Sequence, residues 1–305
     1  MRASPALHAI SDDPHRSPEP RESQGPRGSR EPHEPGAPLA EWDAGTLGCG
    51  ELVLELRTRI VALPGPYLLT RTMWLECVSD RAYADREALA RDVVRVLREE
   101  LAHLLADGVA LVQFDEPVLS EVVFGRARQN RSFMCGALGE KLDVEPELAF
   151  AARLLDELGA GLPSDRLALH VCRGNWSPDE TVALSGDYTA LLPLLARVPM
   201  RTLFLELCTP RAGDEHVLAA LPPEKRVGVG VVNQKHAAIE SREAICTEAE
   251  RVIEYLGPDR VLLNPDCGFA TFADNPLADR TIAQAKLAAS AAAARVLRAR
   301  HGLGG

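Results

Sequence analysis

Aromatic residues make up only 5% of this 305-residue chain, which carries a formal net charge of -10. Together these exclude a surface built to follow phosphates and stack bases, so no nucleic-acid partner is expected. There is no apolar run of the roughly 18 residues needed to cross a bilayer, and the N-terminus has no apolar core of a secretory leader. No membrane partner and a cytoplasmic location are therefore expected. Paired cysteine is missing as well. The seven thiols, Cys49, Cys77, Cys135, Cys172, Cys208, Cys246 and Cys267, are odd in number and show no CxxC spacing. That excludes a disulfide scaffold and leaves reduced thiols to pack or to bind a metal.

What the chain does have is apolar bulk, 46% of its residues, enough for a sizeable core. The apolar residues are unevenly spread. Residues 1–45 are rich in Pro, Ser, Gly and Arg and lack an apolar period, which reads as a disordered tail. The scattered acids Asp12, Asp13, Glu19, Glu22, Glu31 and Glu34 argue against a transit peptide. Residues 46–305 read as one domain. Within it, short apolar runs at 59–63, 109–114, 167–172, 202–206, 227–232 and 261–263 alternate with helical patterns at 85–106, 144–159, 187–196, 214–220, 241–256 and 277–300.

Runs apolar on both faces are the mark of parallel strands covered by helices, so the fold class is α/β with a parallel sheet. Regular spacing, with polar residues at the strand ends, favours a TIM-type (β/α) barrel over an open doubly wound sheet. Six βα units are visible. Residues 51–56, Glu-Leu-Val-Leu-Glu-Leu, offer a seventh strand with no helix after it.

Parallel α/β folds build their sites at the carboxyl ends of the strands, and there the chemistry concentrates. His170 and Cys172 stand at i and i+2 and so share a strand face. Glu206 ends the next run, and Asn264-Pro265-Asp266 turns the last run toward Cys267. Each residue alone has an ordinary reading: a packing cysteine, a satisfied core histidine, a paired acid. Taken together, imidazole, two thiolates and a carboxylate suit Zn2+, a borderline-soft ion with tetrahedral bonds of about 2.0–2.3 Å.

Four segments, "QFDEPVLSE", "LHVCRGNW", "LFLELCTPR" and "LLNPDCGFATF", resemble the catalytic domain of the cobalamin-independent methionine synthases, with similarity from about Ile60 to Arg300. The resemblance implies zinc on His170, Cys172, Glu206 and Cys267. It also implies Asp115 on the substrate ammonium, with Glu116 beside it in the substrate site or orienting its loop. The implied activity is zinc-dependent methyl transfer to a thiol, homocysteine giving methionine, from methylfolate or a methylcorrinoid. Another acceptor, such as a coenzyme thiol, and a non-catalytic zinc-binding relative are the alternatives.

Two departures from the family pattern stand out. The "IGSFP"-like first strand and the acidic "GE" motif of the second strand are not visible, which agrees with six units and leaves completion of the barrel to a partner chain or oligomer. Where many relatives carry Asp-x-His-Ser, this chain has Asn233-Gln234-Lys235-His236, so either Lys235 or His236 takes the catalytic role of proton donor.

Overall fold

The structure is a computed structural model that describes residues 60–75, 79–125, 142–174, 179–269 and 278–303. Each apolar run becomes a parallel strand: β1 (Ile60–Pro64), β2 (Leu111–Asp115), β3 (Leu167–Val171), β4 (Thr202–Leu205), β5 (Arg226–Val232) and β6 (Val261–Pro265). The strands lie in chain order, each beside its sequence neighbours. This is six consecutive units of a (β/α) barrel wall, as expected. β3 is buried along its whole length, which explains why its sequence shows no polar alternation.

The helices are α1 (Pro66–Met73), α2 (Arg86–Ala106), α3 (Val118–Phe124), α4 (Val144–Gly159), α5 (Leu192–Arg197), α6 (Arg242–Leu256) and α7 (Arg280–Arg300). Side chains start three of them. Asp85 accepts from Ala88 N, Ser241 from Ala244 N and Asp279 from Ile282 N, each satisfying an N–H that has no partner within its helix. In α4, Leu154, Leu155 and Leu158 are wholly buried, each worth about 1.5–3 kcal/mol. No helix among the described residues is long and apolar enough to cross a membrane.

Local chemistry explains where the elements differ from the sequence pattern. The Pro64-Gly65-Pro66 turn does not merely end β1. Pro66 occupies the first turn of α1, where a missing N–H costs nothing. The helical pattern at 214–220 becomes a 3-10 turn, Glu215–Ala220, capped by Asp214 on His216 N and followed by Pro222-Pro223. The pattern at 187–196 splits into a 3-10 turn (Thr189–Leu191) and α5. The tail at 1–45, the start of the domain at 46 and the candidate strand at 51–56 lie outside the described residues.

The edges of the wall are β1 and β6, and among the described residues neither has a strand on its outer side. Between them opens a cavity of about 810 Å³ lined by Ile60, Gln113, Phe204, Leu263 and, from α7, Leu287. Both edge strands are only partly covered, and Ile60 and Leu287 are exposed there.

Candidate metal centre

Strand register brings the candidate residues to one level. Asp115 pairs with His170 across β2 and β3, and His170 pairs with Phe204 of β4. Paired residues of neighbouring parallel strands point to the same face, so Asp115 and His170 share the barrel interior. Cys172 follows on that face. From the far side, Cys267 completes a group in which one donor atom each of His170, Cys172 and Cys267 lie within 4.8 Å of one another.

The turn carrying Cys267 is held by Asp266. Its backbone N–H donates to Val232 O at 2.9 Å, and its Oδ1 accepts from Leu207 N at 3.0 Å and Cys208 N at 2.9 Å. Gly230 makes room for it, since a Cβ there would collide with Asp266 Oδ1. The turn thus stitches β6 to β4 and β5 immediately before the thiol.

His170 is pre-set as a ligand. Its Nδ1 lies 3.1 Å from Phe204 O, a carbonyl that can only accept, which puts a proton on that nitrogen and leaves Nε2 buried on the side of Cys172, with which the ring shares a hydrogen bond. A backbone carbonyl on one ring nitrogen with a lone pair left on the other is the usual arrangement behind a metal-bound imidazole. Charge around the group points the same way. The shared hydrogen bond with Cys172, then burial, push the Cys267 thiol well up. Burial by itself would lower the His170 pKa, but the adjacent Cys172 and Asp115 outweigh it and raise it to about 9. Burial also pushes Asp115 up, offset in part by His170 and by the hydrogen bond from Gln113. These raised values mean that the acids keep their protons without a cation among them and would ionise together only around one; the donor set of imidazole and two thiols fits zinc.

Glu206 stands outside the three-residue group. It is fully buried one residue beyond β4, and its Oε2 accepts from Arg173 N at 2.7 Å. Oε1 lies 2.6 Å from Arg211 Nη2, close enough for charge pairing though not aligned as a hydrogen bond. Burial, then Asp266 and Cys172, push its carboxyl up to about 8, so it feels the charge of the thiol site. Glu116 faces away. It is buried against the start of α1, accepting from Tyr67 N and Leu68 N at 2.8 Å each. Burial raises its carboxyl to about 8.

The structure separates Lys235 from His236. The Lys235 side chain is fully buried, with Nζ 3.2 Å from Glu180 Oε2, and burial followed by the charge of Arg211 lowers its pKa to about 8. The His236 side chain is 57% exposed, with its ring 3.7 Å from the other Glu180 oxygen. Glu180 also pairs with Arg211. Glu180 is not recognisable as a site residue from residue spacing, because it gathers groups from segments far apart in the chain.

Arg173 and Tyr188 form a second unforeseen feature. The wholly buried Arg173 guanidinium donates to Gly186 O, Glu206 O and Ala212 O at 2.8, 2.9 and 3.1 Å, and lies 4.2 Å from the Tyr188 ring centroid. Tyr188 Oη donates to Val171 O at 2.9 Å and accepts from Glu206 N at 3.0 Å. The pair locks the tips of β3 and β4, and so the positions of Cys172 and Glu206. Arg173→Met removes the donor to the carbonyls of Gly186, Glu206 and Ala212, at about 1–3 kcal/mol for a buried acceptor left without a partner, and is expected to destabilise by about 3 kcal/mol. Urea denaturation checks this as a lower midpoint at unchanged slope. Asn175 and Trp176, just past Cys172, lie outside the described residues; Cys172, Cys208, Cys246 and Cys267 form no disulfide among the described residues.

Comparisons with known proteins place this geometry. Residues 70–294 match the family model described as the catalytic domain of the cobalamin-independent synthase. A methionine synthase of Pyrococcus furiosus is 28% identical over 249 residues, covering 81% of this chain and 60% of that protein. The methionine synthase of Saccharolobus solfataricus is 22% identical, covering 78% and 58%. This chain therefore spans less than two thirds of the length of these relatives. Among solved structures, a B12-independent methionine synthase from a Shewanella species in complex with selenomethionine superposes with a TM-score of 0.61 at 21% identity, covering 82% of this chain and 65% of that one. At that identity the likeness is one of fold.

Proposed function

Given that the chain belongs to the cobalamin-independent synthase catalytic-domain family, we propose that it transfers a methyl group to the sulfur of homocysteine, giving methionine, at a zinc ion held by His170, Cys172, Cys267 and Glu206. The observation that carries this reading is the gathering of donor atoms of His170, Cys172 and Cys267 within 4.8 Å of one another at the barrel's carboxyl end. Glu206 enters as the fourth donor because it is fully buried beside them and responds to the charge of Cys172.

Bound there, zinc lowers the pKa of the acceptor thiol so that a nucleophilic thiolate is present near neutral pH. The rest falls to the chain. Asp115, at the tip of β2 and on the same face as His170, holds the amino acid's ammonium group. In the transfer, a new S–C bond forms as the methyl carbon leaves the nitrogen of a methylfolate or the cobalt of a methylcorrinoid. With a folate donor, the departing nitrogen takes the bond's electron pair and a proton from Lys235. Arg173 and Tyr188 keep the tips of β3 and β4 from shifting as the substrate arrives.

X-ray absorption at the zinc edge tests the proposal. The protein is expected to bind stoichiometric zinc with two sulfur ligands, and homocysteine is expected to add a third. A spectrum unchanged by homocysteine would mean a structural metal and would sink the catalytic reading.

A further inference from the structure

We propose that Lys286, on α7 and remote from the donor group, is a positioning residue that sets the place of Lys235. Lys286 is wholly buried, and its Nζ donates to Ala238 O at 2.5 Å and to Glu240 Oε2 at 2.8 Å. The other oxygen of Glu240 accepts from Asn233 N at 3.0 Å, and Asn233 Oδ1 accepts from Lys235 N at 2.9 Å. Asn233 also reaches forward, its Nδ2 lying 3.4 Å from Glu180 Oε1, while Lys235 Nζ lies 3.2 Å from Glu180 Oε2. An unbroken polar chain therefore runs from a helix on the outer layer to the ammonium group at the strand tips.

Each end of the loop after β5 is pinned differently. Glu180 holds the ammonium end of Lys235, and the Lys286–Glu240 pair holds its backbone end. Nothing in packing requires a charged pair under this loop. An apolar residue fills a helix face at lower desolvation cost, and a buried ion pair adds little net stability over well-packed hydrophobes. What the pair supplies is register. It fixes where the loop leaves β5, and it puts residue 235 inward and residue 236 outward, as their burial shows. A lysine that must meet a departing group within hydrogen-bond reach depends on that register, and an error of about 1 Å costs on the order of 100-fold in rate.

The inference rests on the proposed role of Lys235, and the test separates the two. In Lys286→Met, reductive methylation followed by mass spectrometry is expected to label Lys235 several-fold faster than in the parent, with bound zinc unchanged. In the same variant, kcat for methyl transfer to homocysteine is expected to fall by about 10–100-fold with KM for homocysteine little altered. Lys286→Arg is expected to restore most of both. Glu240→Gln leaves Lys286 in place and probes the same link if the methionine variant does not fold. Unchanged labelling of Lys235 in Lys286→Met, or in Glu240→Gln where it is needed, overturns the inference. Faster labelling in a protein whose parent transfers no methyl group retains the positioning of Lys235 and rejects the transfer chemistry instead.

Discussion

Cys267→Ser is expected to leave a folded protein that has lost its zinc. The residue sits past the end of β6, only partly buried, and the turn before it is held by Asp266 rather than by its own side chain. The fold therefore does not depend on the sulfur. Metal binding does, because a neutral hydroxyl replaces one of the two thiolates that pull the ion into the site. Disturbing even the outer partners of metal ligands lowers affinity by about 10–100-fold, so loss of a direct ligand should exceed that. Elemental analysis after dialysis against a competing chelator reads the effect. Cys246→Ser is the control, since Cys246 lies on the buried face of α6 with Sγ 3.7 Å from Ala293 O of α7, and it should keep the full complement. Equal zinc in both variants would remove Cys267 from the ligand set.

Lys235→Met should show a large loss of turnover without loss of metal. General acid catalysis contributes about 10²–10⁴-fold, and the variant is expected to lose an amount in that range from kcat while retaining zinc. The pH profile supplies an independent check. Burial lowers the Lys235 pKa to about 8, so the ammonium is largely protonated at neutral pH and gives up its proton as pH climbs. An acid must be protonated to act. The parent's rate should therefore fall as pH rises through about 8, and that limb should vanish in the variant. His236→Gln, whose side chain is 57% exposed, should change neither rate nor profile by much. If the alkaline limb persists in Lys235→Met and disappears in His236→Gln, the roles are reversed.

The strands were legible because a strand buried on both faces must be apolar throughout, and β3 is the clearest case. The candidate donors stood out in the sequence for the complementary reason: His170, Cys172 and Glu206 are polar groups where an apolar strand runs out, and of these the structure gathers His170 and Cys172 with Cys267. The helix α1 was hidden because Pro64-Gly65-Pro66 reads as a turn until one knows which proline lies inside the helix. The role of Arg173 was hidden because the sequence shows only its position beside Cys172. Its actual partners at Gly186, Tyr188, Glu206 and Ala212 come from segments brought near only by folding. Glu180, Arg211 and Lys286 were invisible on the same ground, since nothing in spacing distinguishes an ion pair across the fold from a solvated surface charge.

The chain-order arrangement of the sheet also bears on how the protein is made. Among the described residues, every strand pairs only with the strand synthesised just before or just after it, so each βα unit after the first has a finished neighbour to dock on as it leaves the ribosome. His170 and Cys172 are therefore in place while much of the polypeptide is still to come. Cys267, carried past the last strand, is translated well after them. On the proposed ligand set, a nascent chain that has passed β4 carries His170, Cys172 and Glu206, and the fourth donor arrives only once translation has passed β6.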